Sequence, residues 1–394
     1  MTREVVFVGA ARTAIGTFGG SLKDIPPAQL GALVIKTALA RAGVAPAEVG
    51  HVVMGNVIPS VPQDAYISRV AALDAGVPKE TPAFNVNRLC GSGLQAIVSA
   101  AQSIMLGDCD VAVGAGAESM SRAAYLVTSN RWGARMGDVK MLDFMLGALH
   151  DPKLGIHMGI TAENVAARYD ITREQQDAYS VQSQQRAAKA IAAGLFKEQI
   201  VPVELQSRKG VVLFDTDENV KGETTVETLA KMKPAFKKEE GTVTAGNASG
   251  LNDGAGAVVM ASADKAKALG LKPLARLVSY GHAGVEPEYM GIGPVPASRM
   301  ALEKAGLKIA DMDLIEANEA FAAQACAVAK ELGLDNEKVN PNGSGISLGH
   351  PIGATGAILV TKALYELQRT GGRYALITMC IGGGQGIALI IERI

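Results

Sequence analysis

The sequence contains few aromatic residues and almost no net charge. Aromatic residues make up 4% of its 394 residues, and 38 Lys and Arg residues stand against 39 Asp and Glu residues. Proteins that bind nucleic acids usually carry a basic excess and aromatic rings on which bases stack. We therefore expect no nucleic-acid partner.

Cysteine is also scarce. None of the four cysteines belongs to a Cys-x-x-Cys pair of the kind found in zinc ribbons and thioredoxin-like sites. Four widely spaced cysteines do not form a disulfide framework in a long chain, which favours a reducing compartment. The first residues predict a strand and lack the charged and apolar regions of a signal peptide, so we expect a cytoplasmic protein. The cysteines are Cys90, Cys109, Cys326 and Cys380.

One uncharged run, residues 374–391, is nearly long enough to span a membrane. Glycines at positions 382–384 and 386 interrupt it, and glycine is unfavourable in the interior of a helix. Two buried strands joined by a glycine turn explain the run better, so we expect no membrane partner. The Walker A and Gly-x-Ser-x-Gly motifs are missing as well.

The sequence is rich in glycine and apolar residues, and it repeats itself. Hydrophobic residues make up 48% of the chain, which is ordinary for a soluble protein with a large core. Three features recur in the same order at an offset of roughly 260 residues: a helix ending at glycine, a glycine-rich turn that opens a helix, and an apolar strand. The repeat predicts duplication of one α/β unit.

About 130 residues, 119–249, lie between the two copies and differ in character. They include a candidate amphipathic helix over residues 161–193, where acidic and basic residues alternate. This segment is either a surface excursion or a lid that completes a substrate pocket. Long inserts in compact domains usually have a function, which favours the lid.

Cys90 stands between an apolar strand and a glycine-rich helix start, in Asn-Arg-Leu-Cys-Gly-Ser-Gly at residues 87–93. The N–H groups and dipole of a helix N-terminus stabilise a thiolate, so this position predicts a lowered pKa for Cys90. The alternative is a buried, inert thiol. Residues 91–96 also match the dinucleotide-binding fingerprint, but weakly, because Cys90 stands where the strand should end.

His350 is the counterpart of Cys90 in the repeat. Equivalent elements of a duplicated domain face each other, which would bring an imidazole towards the thiol, as a cysteine nucleophile requires. The alternative is a histidine that only stabilises a turn and takes no part in catalysis. Cys380 ends a buried strand before a glycine turn whose N–H groups could face an oxyanion. Asn318 and Glu319 end another strand, where they could cap a helix or orient a water or carbonyl.

Four blocks of the sequence resemble the active-site blocks of thiolases, specifically the acetyl-CoA acetyltransferase (β-ketothiolase) branch. The blocks are residues 87–93, 318–322, 349–354 and 380–384, and residues 246–254 are similar too. The similarity runs from about Arg3 to Arg393. It implies the α/β thiolase fold, with two duplicated five-stranded α/β/α halves and an inserted loop domain.

The resemblance also implies domain limits and assembly. The N-terminal half would be residues 1–118, completed by 250–271. Residues 119–249 would form a loop domain for CoA binding and tetramerisation, and residues 272–394 the C-terminal half. A homotetramer is expected, with the segment near residues 122–140 as the tetramerisation loop.

The implied activity is the reversible Claisen condensation of two acetyl-CoA to acetoacetyl-CoA and CoA, through an acetyl group on Cys90. His350 resembles the base that activates Cys90, and Cys380 the group that removes the Cα proton of the second acetyl-CoA. Asn318 would hold a water on the enolate oxygen, and the N–H groups of Cys90 and Gly382 would bind the tetrahedral oxyanion. The resemblance implies no metal and no cofactor beyond the CoA thioesters.

Further residues are expected to bind CoA and its acyl group. Lys221 departs from the family pattern, because related sequences commonly carry Arg there. Lysine is a point charge without bidentate geometry, so its contact with the nucleotide end of CoA should differ. The remaining residues are His157, Met158 and Ser249 along the pantetheine path, and Phe236, Met290, Ala320 and Phe321 around the pocket.

Three other functions fit parts of the pattern. Cys90, His350 and Cys380 could bind a catalytic zinc ion. A non-catalytic acyl-CoA or lipid carrier could share the fold, although it should have lost part of this set of residues. A ketoacyl synthase would typically have a second histidine at the position of Cys380, so this cysteine favours a thiolase.

Overall fold

The computed structural model describes residues 3–208 and 210–394, in which strands and helices alternate along the chain. The strands are β1 Val5–Arg12, β2 Gly16–Thr17, β3 His51–Gly55, β4 Ala83–Val86, β5 Val111–Ser119, β6 Tyr125–Leu126, β7 Leu142–Asp143, β8 His150–Asp151, β9 Ile156–His157, β10 Val203–Ser207, β11 Gly210–Phe214, β12 Asn252–Ser262, β13 Ala275–Gly284, β14 Leu314–Ala317, β15 Tyr374–Ile381 and β16 Gln385–Arg393. The α-helices are α1 Pro27–Ala42, α2 Ile67–Asp74, α3 Ser92–Leu106, α4 Phe144–Ala148, α5 Met158–Arg168, α6 Arg173–Ala192, α7 Val226–Ala230, α8 Ala263–Ala268, α9 Pro294–Ala305, α10 Ala322–Leu332 and α11 Thr355–Thr370. Short 3₁₀ helices span Pro46–Glu48, Pro62–Tyr66, Met120–Arg122, Thr128–Arg131, Pro287–Ile292 and Ile309–Asp311.

The central feature is a mixed sheet with the strand order β14-β15-β16-β13-β1-β12-β5-β3-β4, in which β2 pairs with β12. Strand β3 runs parallel to β4 and β5, and β14 runs parallel to β15. The N-terminal half contributes β1, β3, β4, β5 and β12. The two halves meet where β1 pairs with β13 at Val6 and Phe7. The predicted duplicated α/β fold is confirmed.

The C-terminal half differs from the N-terminal half in one detail. Its sheet contains four strands, and the fifth position is occupied by Val339, which forms a single parallel bridge with Ile315. Asn340 follows with a left-handed φ of 46°, and Pro341 has no N–H to donate. Extended pairing therefore stops after one residue.

The repeated helices occupy equivalent positions in the two halves. Helices α1 and α9 end at Gly43 and Gly306, whose φ angles of 67° and 65° are left-handed. Both glycine-terminated helices are therefore confirmed. Helices α3 and α11 lie in a core shared by strands of both halves.

Helices α3 and α11 touch near their N-termini, and glycine makes that contact possible. A Cβ added to Gly356 would lie 2.1 Å from the backbone nitrogen of Leu94, and one added to Gly93 would lie 2.9 Å from that of Ala357. The chain enters α3 just after Cys90 and α11 just after residues 350–353. Close packing of the two helices therefore brings together side chains that are 260 positions apart.

Residues 161–193 fall in two helices, α5 and α6, where the sequence predicted one helix. That prediction is wrong. Asp170 adopts a left-handed φ of 54° and breaks the first helix. Thr172 then caps the second helix by accepting the N–H of Gln175, whose side chain accepts the N–H of Thr172 in return.

Residues 374–391 form strands β15 and β16 around a glycine turn, as predicted. Gly383 and Gly384 have φ angles of 79° and 81°, which residues with a Cβ rarely adopt. Among the described residues, one helical stretch, Leu89–Leu106, has the length and composition of a membrane span, and 61% of it is buried inside the protein. The core helix of a soluble protein passes the same test, so this stretch is weak support for a membrane span.

Candidate active site

A cavity of about 370 Å³ lies where the segments preceding α3 and α11 meet the inserted segment. Most of the predicted site residues form its wall. They are Cys90, His157, Met158, Phe236, Ser249, Met290, Ala320, Phe321 and His350. The fold therefore places residues from both halves and from residues 119–249 around one space.

Cys90 lies in a tight turn between β4 and α3. Leu89 adopts a left-handed φ of 48°, and its N–H donates to Asn87 Oδ1 at 3.1 Å. The hydroxyl of Ser92 accepts the N–H of Arg88 at 2.8 Å and donates to the carbonyl of Leu89 at 2.7 Å. These contacts hold the thiol on the cavity wall.

Burial raises the pKa of the Cys90 thiol to about 11, against the opposing pull of the N–H groups of Gly382 and Cys90 itself. The expectation that the helix start would lower this pKa is wrong, because desolvation of the thiolate outweighs the nearby N–H groups. The same two N–H groups are those assigned to the oxyanion hole by the family resemblance.

His350 is buried, and its hydrogen bonds determine which of its ring nitrogens carries the proton. The hydroxyl of Thr355 donates to the carbonyl of Pro351 at 2.9 Å, so its oxygen is left to accept a proton from His350 Nδ1 at 2.6 Å. His350 Nε2 therefore carries the lone pair, and it lies 3.4 Å from Asn318 Nδ2. Burial lowers the pKa of His350 to about 4, which keeps the imidazole neutral.

Replacement of Thr355 by valine should cut kcat for acyl transfer about 10- to 100-fold, a part of what a positioned base contributes. Valine keeps the shape of threonine but cannot accept the Nδ1 proton, so Nε2 would be protonated part of the time. Thr361→Val is the matched control. Its hydroxyl lies in the same helix and donates to the carbonyl of Ala357 at 2.9 Å. Equal kcat values for the two variants would contradict the role given to Thr355.

Asn318 and Cys380 lie at the ends of neighbouring strands, β14 and β15. The N–H of Asn318 donates to the carbonyl of Thr378 at 2.9 Å, and its Oδ1 is buried without a hydrogen-bond partner in the described part of the chain. Cys380 is fully buried, and burial followed by the nearby Cys90 raises its pKa well above the usual range for a thiol. Cys90 is thus close enough to affect the ionisation of Cys380.

An aromatic stack forms another part of the cavity wall. The rings of His157 and Phe236 lie with their centroids 4.7 Å apart at an angle of 19°. Gly159 permits this stack, because a Cβ at that position would lie 2.3 Å from the Phe236 ring. His157 Nδ1 accepts the N–H of Gly159 at 3.0 Å, and the N–H of Ser249 donates to the carbonyl of Ala320 at 2.9 Å.

Four predicted residues lie outside the cavity lining: Asn318, Cys380, Gly382 and Lys221. Gly382 presents its N–H to Cys90, and a Cβ added to it would lie 3.4 Å from the sulfur of Met158. Lys221 is exposed and lies outside the lining, and its backbone N–H donates to Gln184 Oε1 at 2.7 Å. In the described residues, no group of three or more His, Cys, Asp and Glu side chains could hold a metal ion.

Sequence reasoning missed several residues of the site. Thr355 follows His350 by five positions, and only the folded turn shows that the two side chains meet. The apolar lining residues have no motif around them that would have identified them. They are Met120, Met145, Leu149, Leu251 and Ile352.

Comparisons with known proteins agree with this geometry. The family models "Thiolase, N-terminal domain" and "Thiolase, C-terminal domain" match residues 5–264 and 271–393. A beta-ketothiolase, BktB, of Cupriavidus necator is 68% identical over the full length of both chains. An acetyl-CoA acetyltransferase of Chromobacterium violaceum is 54% identical over 99% of this chain and 100% of its own.

Solved structures agree over the whole chain. The acetyl-CoA acetyltransferase of Bacillus anthracis is 48% identical with a TM-score of 0.97, covering 100% of this chain and 99% of that one. Human mitochondrial 3-ketoacyl-CoA thiolase in complex with CoA is 47% identical with a TM-score of 0.96, covering 100% and 98%.

Proposed function

Because the chain belongs to the thiolase family, we propose that it is an acetyl-CoA C-acetyltransferase. It joins two acetyl-CoA to give acetoacetyl-CoA and CoA, and in reverse it cleaves short-chain 3-ketoacyl-CoA with CoA. The observation that supports this most is the convergence of Cys90 and His350 on one cavity wall, with Cys380 near enough to Cys90 that Cys90 helps to raise the pKa of Cys380.

In the first half-reaction, Cys90 takes the acetyl group. His350 Nε2 accepts the thiol proton, and the sulfur attacks the thioester carbonyl of acetyl-CoA. The N–H groups of Cys90 and Gly382 stabilise the tetrahedral oxyanion, and removing one such donor typically costs about 2.7–4 kcal/mol of barrier. CoA then leaves as a thiol with the proton held by His350, so the imidazole is neutral again.

In the second half-reaction, Cys380 gives its thiol proton to His350, and the resulting thiolate removes a Cα proton from a new acetyl-CoA. His350 and Asn318, whose buried Oδ1 is free to hold a water, stabilise the enolate oxygen. The enolate carbon attacks the acetyl carbonyl, and the Cys90 sulfur leaves and takes the proton held by His350, so the free protein is restored. An acetylated Cys90 cannot ionise, so no second negative charge forms beside the Cys380 thiolate.

The roles of the other residues follow from their positions. His157, Met158, Phe236 and Ser249 guide pantetheine, while Met290, Ala320 and Phe321 enclose the acyl group. Lys221 offers one exposed positive charge to the phosphate end of CoA. The protons move between two thiols and one imidazole, so the proposed chemistry needs no metal and no cofactor other than the CoA substrates.

We also propose the assembly and location of the protein. Residues 119–249 form a loop domain that binds CoA and tetramerises, between an N-terminal half of residues 1–118 and 250–271 and a C-terminal half of residues 272–394. Trp132 and Met136 are 90% and 96% exposed, as expected if residues 122–140 contact other subunits. The protein acts in the cytoplasm as a homotetramer.

A chain-length series tests the proposed function. Values of kcat/KM for thiolysis should be highest for the shortest 3-ketoacyl-CoA substrates and fall as the acyl chain grows. The reason is that the bulky side chains of Met158, Met290 and Phe321 line the cavity and leave little room for a longer chain. Incubation with acetyl-CoA should add an acetyl group to the peptide that contains Cys90, detected by mass spectrometry. A protein that cleaves long chains but not acetoacetyl-CoA would overturn the short-chain assignment.

A further inference from the structure

The segment that carries His350 docks on the N-terminal half through an unusually close backbone contact. The carbonyl oxygen of Gly353 lies among three glycines of that half. A Cβ would come within 2.7 Å of this oxygen at Gly55, within 3.0 Å at Gly93 and within 2.3 Å at Gly116. Docking therefore depends on bare backbone on both sides, while Ile352 packs next to it against Val57, Ile58 and Met120.

The side chain of Glu118, near the end of β5, lies directly at this contact and is fully buried. Its Oε2 accepts the N–H of Gly353 at 2.8 Å and the N–H of Val57 at 3.2 Å. Its Oε1 accepts the N–H of Ile58 at 3.1 Å and the side-chain N–H of Asn56 at 3.0 Å. Three of these donors belong to the N-terminal half, and the Gly353 N–H belongs to the C-terminal half.

We propose that Glu118 is a positioning residue that clamps the segment containing His350 against the half that contains Cys90. This inference rests on the proposed function and adds a residue to it. Glu118 touches neither substrate nor the reacting atoms. It acts through Gly353, three residues after His350, and fixes how near the imidazole lies to the thiol.

Space at the contact is consistent with a clamp. A Cβ added to Gly353 would lie 2.5 Å from Glu118 Oε2 and 3.0 Å from the Cα of Asn56. The carboxylate thus occupies the place where a side chain of the segment would otherwise stand. Four N–H donors surround its two oxygens, so an amide at this position would turn its own N–H₂ group towards at least one of them.

Glu118 also has an electrostatic effect on Cys90. Burial raises the pKa of Glu118 itself to about 8, and above that pH its charge adds to the effect of burial in raising the pKa of Cys90. His350 and His157 line the same cavity as Cys90, and burial lowers the pKa of both imidazoles. Burial raises the pKa of the neighbouring Cys380 thiol, so all three groups are uncharged at neutral pH. Removing the charge of Glu118 should therefore ease thiolate formation while the loosened segment slows turnover.

The test is Glu118→Gln in the full-length protein, assayed by acetoacetyl-CoA thiolysis and by the pH dependence of Cys90 alkylation with iodoacetamide. We expect kcat to fall about 10- to 100-fold, because a displacement near 1 Å of a catalytic group has effects of this size. KM for CoA should change little, since Glu118 is not one of the residues that line the cavity proposed to bind CoA. For the wild type we expect the pH midpoint of Cys90 alkylation near the raised pKa of about 11, and in Glu118→Gln this midpoint should move to lower pH. Thermal unfolding establishes that the variant is folded.

Glu118→Asp separates position from charge. Aspartate keeps the negative charge but is too short to reach all four donors, so kcat should fall while the alkylation midpoint stays in place. Asp64→Asn is the matched control. Asp64 is a buried carboxylate that accepts the N–H groups of Ser60 and Val61 and makes no contact with Gly353. Its removal should lower stability without a comparable loss of kcat.

Each result has a separate meaning. Wild-type kcat in Glu118→Gln or in Glu118→Asp would overturn the clamp, and so would an equal loss of kcat in Asp64→Asn. A wild-type protein without acetoacetyl-CoA thiolysis would count against the proposed function instead. If Glu118→Gln does not fold, the aspartate variant alone decides between the two outcomes.

Discussion

Cys90→Ala should abolish both the condensation of acetyl-CoA and the thiolysis of acetoacetyl-CoA. Both directions pass through the same acetyl-thioester on Cys90, and alanine offers no nucleophile in its place. Loss of a nucleophile that works with a positioned base typically costs 10⁴-fold or more, so we expect kcat to fall by at least about 10⁴-fold. Formation and cleavage of acetoacetyl-CoA by absorbance measure the two directions, and mass spectrometry should find no acetylated peptide.

Cys109→Ala is the control for this experiment. Cys109 is a half-buried cysteine of the N-terminal half that lies outside the cavity lining. Its replacement should leave kcat unchanged and should not affect labelling of Cys90. The assignment of Cys90 is falsified if Cys90→Ala retains near wild-type thiolysis.

Cys380→Ala should separate the two half-reactions. Cys90 and His350 suffice for acetyl transfer from acetyl-CoA, so the Cys90 peptide should still become acetylated. Condensation requires removal of a Cα proton, and a missing general base typically costs about 10²–10⁴-fold. We expect condensation to fall by that amount while acetylation of Cys90 continues, measured by mass spectrometry in a time course with acetyl-CoA alone.

The matched control is Cys326→Ala. Cys326 is a thiol of the C-terminal half whose pKa is also raised by burial, to about 12, and it lies in a different cavity. Its replacement should affect neither step. A Cys380→Ala protein that condenses acetyl-CoA at the wild-type rate, or that no longer acetylates Cys90, would contradict the division of labour between the two thiols.

The pKa values place Cys90 and His350 in the free protein as a thiol beside a neutral imidazole. The pKa of Cys90 is raised to about 11 and that of His350 is lowered to about 4, both mainly by burial. Between those values neither group carries a charge, so the proton moves when substrate is bound. The sequence predicted a lowered pKa for Cys90 because a helix start is visible in a sequence, whereas the loss of solvent around the sulfur is not.

Local sequence patterns were sufficient to predict many features of this protein. The glycine ends of α1 and α9, the strand pair β15 and β16, and the four blocks around Cys90, Asn318, His350 and Cys380 all follow from residue types at short spacing. The spacing works because helix caps, glycine turns and buried strands each depend on a few neighbouring residues. The break at Asp170 had the same kind of signal, the cap at Thr172, which a helical charge pattern obscured.

Contacts between distant segments required the folded chain. Nothing near Glu118 in the sequence marks it, because its partner Gly353 becomes a neighbour only when α11 packs on α3. Thr355 meets His350 in the turn that opens α11, and the fold of that turn was not visible in the sequence either. The same packing removes water from Cys90 and so reverses the direction of its pKa shift. Sequence motifs show which reactive groups the chain carries. The reactivity of those groups depends on their burial and on the distances between them, and both are set only when the two halves pack around one core.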